Sequence, residues 1–139
     1  MSEGYIEAIQ KAFDSKLVAF GVTNSIIIAL ENINAPTSTD KPYLAGYLLP
    51  TEVDSADLYF TDRRDGVYQV DVNYAQSTGS SKANAMTDKL NAAFAPGSDI
   101  SRGPVCVSIL RVVPGPLIVE NGWAKRPLSI YWVTHTERL

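Results

Sequence analysis

DGVYQVDVNYAQS, from Asp65 to Ser77, alternates along its length. Tyr68, Val70, Val72 and Tyr74 fall on one face of an extended strand, and Val67, Gln69, Asp71 and Asn73 fall on the other. A period of two marks a half-buried β-strand. The apolar face is suited to a core. The opposite face sets an acid beside two amides, and it suits solvent surface, the wall of a catalytic cleft or the wall of an assembly.

Working outward from this strand, QSTGSS (Gln76 to Ser81) is a flexible connection. A helix follows from about Lys82 to Ala95, capped by Ser80 or Ser81, with Ala83, Met86, Leu90 and Phe94 as its buried stripe. Pro96-Gly97 stops it. VCVSILRVV (Val105 to Val113) is apolar on both faces and predicts a central strand. The arm PGPLIVENGWAKRP (Pro114 to Pro127) is less regular. A last strand starts at Leu128, with Leu128, Ile130 and Trp132 on one side and Ser129, Tyr131, Val133 and His135 on the other.

Upstream, Ser2 suits an N-cap, and Ile6, Ile9, Phe13, Leu17 and Phe20 form one helical stripe ending near Gly21. SIIIALENI (Ser25 to Ile33) reads as a strand and NAPTSTDKP (Asn34 to Pro42) as a loop. PYLAGYLLPTEV is a second strand, with Pro50 marking an edge or a bend. LYFTDRRDG then reads as a turn, with Asp62-Arg63-Arg64-Asp65 at a hairpin tip. The order α-β-β-β-α-β-β predicts an α+β fold: a single mostly antiparallel sheet with two helices packed on one face. All of residues 1–139 belong to one domain, with no repeat or low-complexity tract.

Composition agrees. A chain of 139 residues suits one domain with its own core. The net charge of −3 weighs against a nucleic-acid binder acting through bulk positive charge. The lone Cys106 forms no internal disulfide, and PVCVSIL places it as a small core thiol. No Cys/His cluster suggests a metal, and no cofactor is expected. MSEGYIEAIQK lacks the basic start and apolar run of a signal peptide, and no run approaches the ~20 apolar residues of a membrane span. These features predict a protein made in a reducing cytoplasm and no membrane partner.

Few residues could support catalysis. His135, the only histidine, reads as a surface residue, because a general base needs a positioned partner. Asp71 has no second carboxylate on its strand face. STGSSKAN matches no phosphate-loop pattern, although the helix start after Gly79 could hold an anion. The chain therefore reads as a non-enzyme. A small dimeric α+β enzyme, with Asp71 or Tyr68 lining a pocket, is the competing class, and a deep pocket with converging polar groups would distinguish it.

Several of these elements together are similar to a known family. An N-terminal helix ends in Leu17-Val18-Ala19-Phe20. The strands PYLAGYLLPTEV and DGVYQVDVNY follow, then a Ser/Gly linker into KANAMTDKLNAAF, then a long hairpin closing in LSIYWVTHTER. Over nearly its whole length the chain resembles the tail terminator (tail completion) proteins of long-tailed bacteriophages, the lambda-type group. Head-completion or neck connector proteins of the same size share this general pattern.

The resemblance implies structural work in the virion, at the head-proximal end of the tail. Such proteins form a homo-oligomer, a ring of six, on the tail tube protein. They end tube growth and present the joining surface to the head-completion or neck protein. DNA passes through the lumen without specific binding. In this frame Leu117, Ile118, Val119 and Trp123 are candidate interface residues, apolar in a Pro/Gly-bounded arm. Folding back onto the subunit's own core is the alternative for that arm. Arg63 and Arg64 are candidates for docking at one end of the ring. Gln69, Asp71 and Asn73 are candidates for a lumen-facing row, wetted and weakly attractive to a polyanion.

Overall fold

The computed structural model describes residues 5–30, 42–55, 61–75, 80–102, 105–120 and 122–137. The chain order is α1 (Tyr5–Asn24), β1 (Ile27–Leu30), β2 (Tyr43–Ser55), β3 (Thr61–Ala75), α2 (Ser80–Ala93), β4 (Asp99–Arg102), β5 (Val105–Pro114), β6 (Ile118–Glu120) and β7 (Trp123–Glu137). The cap at Ser2, the loop from Asn34 and the linker at Gln76–Gly79 lie outside the described residues.

One seven-stranded sheet runs β1-β2-β3-β7-β5-β4, and β6 also pairs with β7. Every pair is antiparallel except β1 with β2, which run parallel from Ile27↔Tyr43 to Leu30↔Gly46. The sheet is therefore mixed, and two short strands, β4 and β6, extend the expected order. Asp-Ile-Ser-Arg is too short for its alternation to be read. It is aligned instead by Gly97 N–H donating to Ile109 O (2.8 Å) and Ile109 N–H donating to Ser98 O (2.9 Å).

The alternation of polar and apolar residues from Tyr68 to Tyr74 holds along β3. Tyr68, Val70, Val72 and Tyr74 are buried in the cluster that both helices cover. On α2, Ala83, Met86, Leu90 and Phe94 are all buried, as their spacing predicts. On α1, Ile9, Phe13, Leu17 and Phe20 are buried together with Ala8 and Ala12, whereas Ile6 remains 42% exposed. Each fully buried Leu, Ile or Phe contributes about 1.5–3 kcal/mol.

Tyr68 docks α1 on the sheet. Its ring stacks on Phe13 with centroids 4.7 Å apart and planes 11° apart. Its hydroxyl donates to Asp14 Oδ1 at 2.5 Å. To reach α1 the phenol crosses Gly46 of β2, where a Cβ would lie 2.3 Å from Tyr68 Oη and 2.8 Å from Leu17 Cδ2.

Several sequence expectations need correction. Asp62-Arg63-Arg64-Asp65 is no hairpin tip: it lies within β3, its backbone paired to β2 on one side and β7 on the other. Gly66 is not a turn residue either. A Cβ there would meet Trp132 Cζ2 at 2.8 Å and Leu49 O at 2.8 Å, so glycine makes room for the indole. Gly21 does not end α1. The helix runs to Asn24, and Ser25 (φ 55°) takes the left-handed position, with Ile26 N–H donating to Gly21 O at 3.0 Å. β2 continues past Pro50 after a register shift. β5 is an interior strand between β7 and β4, one place from the edge of the sheet, but Cys106 is exposed. Its neighbours Val105, Val107 and Ile109 take the core face, and period two sends Cys106 to the side without helices.

Gly46→Ala should lower unfolding free energy by about 1–3 kcal/mol through overpacking. Tyr68→Phe should lower it by about 1–2 kcal/mol through the lost hydrogen bond. Combined, they should cost less than their sum, because loss of the hydroxyl clears space for the new methyl. Urea denaturation of both single variants and the double variant measures the coupling.

Candidate assembly surfaces

Among the described residues, both helices lie on one face of the sheet and no helix covers the other. β2 contributes Tyr43, Ala45, Tyr47 and Leu49 to it, and β3 contributes Gln69, Asp71 and Asn73 beside them. β7 contributes Trp123, Lys125, Pro127, Ser129 and Tyr131. Gln69, Asp71 and Asn73 thus look away from the helices, as alternation predicts. They do not form a wetted row in the subunit: Asp71 is 5% and Asn73 1% exposed, and Gln69 is half-buried.

The cause is an aromatic bridge. Tyr43 stands directly opposite Asn73, and Trp123 stands opposite Ala75, the next residue on that face. The two rings meet edge to face with centroids 5.0 Å apart and planes at 88°. The small side chains of β3 lie between them. Gln69 Nε2 donates to Asp71 Oδ1 (2.8 Å) and Asn73 Nδ2 donates to Asp71 O (3.1 Å). Asn73 Oδ1 has no partner among the described residues. Farther along, the Arg111 guanidinium lies 4.2 Å from the centroid of the Tyr131 ring. Tyr47, Leu49, Leu110 and Val113 remain substantially exposed.

The arm from Pro114 to Pro127 is the end of a hairpin, with β6 on one side and the start of β7 on the other. Its root is fastened: Gly115 N–H donates to Pro127 O (2.7 Å), and Arg126 Nη1 donates to Gly115 O (2.8 Å). Beyond the root, β6 pairs with the start of β7 through Ile118↔Lys125, Val119↔Ala124 and Glu120↔Trp123. All three β6 residues are exposed, so the strand is open on both faces. Of the four arm candidates, Ile118 (41%) and Val119 (55%) are exposed. Leu117 and Trp123 are half-buried, and Trp123 is engaged by Tyr43.

Arg63 and Arg64 lie at the other end of the sheet, paired along the backbone to His135 and Thr134. Eleven residues of β7 separate Trp123 from Thr134, or about 35 Å at ~3.3 Å per residue. Arg64 is half-buried and His135 exposed. On the helix layer, an open groove of about 530 Å³ runs between α1 and α2. Phe20, Ala19, Ala92 and Ala93 line it, with Lys16 and Lys89 at its sides. The sequence reading missed both this groove and the Tyr43–Trp123 bridge. The alternation of PYLAGYLL places Tyr43 outward, but only the tertiary pairing brings Trp123 to it.

The family model for phage tail terminator protein matches residues 8–132. The chain belongs to the phage tail terminator family. This is a family of structural phage proteins, and the protein's place is the virion tail. Comparison with curated proteins gives no match. Two solved structures share the fold. One is 21% identical and superposes with a TM-score of 0.77, covering 95% of this chain and 96% of its own. The other, 20% identical, is a chain from the virion of a native gene transfer agent particle. Its TM-score is 0.62, and it covers 98% of this chain and 99% of its own.

For this tail terminator family member the helix-free face has a measurable signature. Burial, and secondarily the Asp71 carboxylate, raise the Tyr43 phenol above its ordinary value of 10.0. Burial raises Tyr74 as well. A raised phenol favours the neutral form in the folded state. Its contribution is complete below the unfolded value and is lost as pH rises through the folded one. The denaturation midpoint should therefore fall as pH rises past 10.0. Tyr43→Phe should make that fall smaller, and Asp71→Asn should reduce the Tyr43 part of it. A midpoint that declines equally in wild type and Tyr43→Phe would show that this phenol does not contribute.

Proposed function

We propose that subunits associate head to tail into a hexameric ring on the last ring of the tail tube. The ring ends tube polymerisation and presents the surface to which the head-completion or neck protein joins, at the head-proximal end of the tail. The observation that carries this reading is the arm: a short strand exposed on both faces, bearing Ile118 and Val119 and laid along the start of β7 beyond a hydrogen-bonded root. An isolated subunit gains nothing from exposing these side chains, whereas a heterologous contact uses one such patch against a different one. A gene transfer agent virion holds a chain of the same fold, which supports use of this domain in an assembled particle.

The middle of the helix-free face, around Gln69, Asp71 and Asn73, is assigned to the lumen or its rim, and the hairpin end with Ile118 and Glu120 is assigned to the contact between subunits. Of the row Gln69, Asp71 and Asn73, Gln69 keeps the most solvent contact, with the acid and the second amide beneath the aromatic bridge. The net charge of −3 suits a conduit that DNA crosses without being held. Arg63 and Arg64, remote from the arm, are assigned to docking at one end of the ring. Assembly takes place in the host cytoplasm.

Purified protein mixed with purified tail tubes tests this reading by electron microscopy and mass measurement. Wild type should add one ring at one tube end. Ile118→Ser with Val119→Ser should leave the unfolding free energy unchanged within about 0.5 kcal/mol, as exposed positions do, and abolish capping. Trp123→Ser should instead lower stability, because it removes the contact with Tyr43. Charge reversal of Arg63 and Arg64 to Glu should weaken docking to tube or head, and the loss should shrink at high salt. Rings that bind heads and ignore tubes would make this a neck connector.

A further inference from the structure

The groove between α1 and α2 has the attributes of a seat for the arm. Phe20, Ala19, Ala92 and Ala93 line the groove together with Thr23 and Asn24, and the small side chains leave a largely apolar space of about 530 Å³. That volume lies within the ~300–1,000 Å³ typical of ligand-sized pockets. Ala19, Ala92 and Lys89 are exposed. Lys16 stands on the α1 side, its Nζ 5.5 Å from the centroid of the Phe94 ring, and Lys89 stands on the α2 side. Neither lysine has a carboxylate partner among the described residues. The groove is therefore apolar at its base and positive at its rim.

The arm carries the opposite pattern. Ile118 and Glu120 are two apart on β6, so they share one face of the strand, about 7 Å from each other. Both are exposed, and Glu120 has no cationic partner among the described residues. An apolar side chain with a carboxylate one strand period away matches an apolar floor with ammonium groups beside it. The two surfaces also belong to different parts of the subunit. The groove lies on the helix layer, whereas Ile118 and Glu120 share the helix-free side of the hairpin with Lys125 and Trp123. Contact between two copies through them joins unlike patches, as a closed ring requires.

We infer that the arm of one subunit docks in the α1–α2 groove of a second copy of this chain, with Ile118 on the alanine floor and Glu120 against Lys16 and Lys89. This rests on the ring reading above and names the contact that closes the ring.

The test uses the full chain carrying Cys106→Ser, so that the exposed native thiol does not interfere. Ile118→Cys and Ala92→Cys are placed in separate subunits, mixed, assembled on purified tail tubes and mildly oxidised. An interchain disulfide is expected. Val22→Cys should give none with Ile118→Cys, because Val22, although 78% exposed, does not line the groove. In parallel, Glu120→Lys and Lys89→Glu should each reduce the fraction of capped tubes about fivefold, and the two reversals in one chain should restore it. Rings that form on tubes without this crosslink, and that ignore both charge reversals, would overturn the groove contact and leave the ring reading standing. Absence of any ring would overturn both. A disulfide formed within a single chain when both cysteines are placed in it, with none between chains, would show the arm seated on its own groove and would also overturn the inference.

Discussion

The subunit is organised around the approach of Tyr68 to α1. Its phenol spans the layer between sheet and helix, stacks on Phe13 and ends on Asp14. Phe13 in turn lies 6.3 Å from Phe94 at the end of α2 and 6.2 Å from Trp132 on β7, centroid to centroid. One aromatic group therefore joins α1, α2, β3 and β7. The space for it is created at Gly46 and Gly66, where side chains would collide with Tyr68 and Trp132. Both helices are thereby confined to one face of the sheet, and the opposite face is left for other uses.

That opposite face is not a simple surface. It buries an acid and an amide without a helix over them, by means of two rings from strands on either side. Burying Asp71 is tolerable because the Gln69 amide donates to it. Asn73 Oδ1 receives no such bond among the described residues, which leaves this region less firmly satisfied than the aromatic core. Exposed apolar side chains at Tyr47, Leu49, Leu110 and Val113 surround it. The subunit thus combines a tightly specified helix-side core with a second face of mixed character.

Local period was a dependable guide where one face is buried and the other is not. The two faces of β3, the stripe of α2 and the inward set Leu128, Ile130 and Trp132 were all legible from spacing. Turn chemistry misled at Asp65-Gly66, because glycine there answers to the indole of Trp132, more than sixty residues away. The apolar run around Cys106 suggested burial on both sides, but a sheet covered on one face hides only every second residue. β4 and β6 are too short to carry a period. At the candidate site, the orientation of Gln69, Asp71 and Asn73 was legible, and so was the unusual apolar character of the arm. The burial of Asp71 and Asn73 was not, because it depends on Tyr43 and Trp123, which lie far apart in sequence. The α1–α2 groove was hidden because Ala19, Ala92 and Ala93 are split between two helices and carry no spacing that brings them together.

The position of β7 has a consequence for how the subunit is made. β7 is the last element described, yet it is the strand against which β3, β5 and β6 are all laid. Before it leaves the ribosome, β3 lacks one of its two neighbours, and β5 and β6 lack the strand they fold against. The nascent chain can form its helices and the β2–β3 hairpin early, since those contacts are local. The sheet as a whole closes only when a segment more than sixty residues downstream of Thr61 arrives to pair with it, a non-local pairing of the kind that slows folding. A chain cut short before β7 would lack Leu128, Ile130 and Trp132 from its core. The strand order thus ties completion of the sheet to translation through β7.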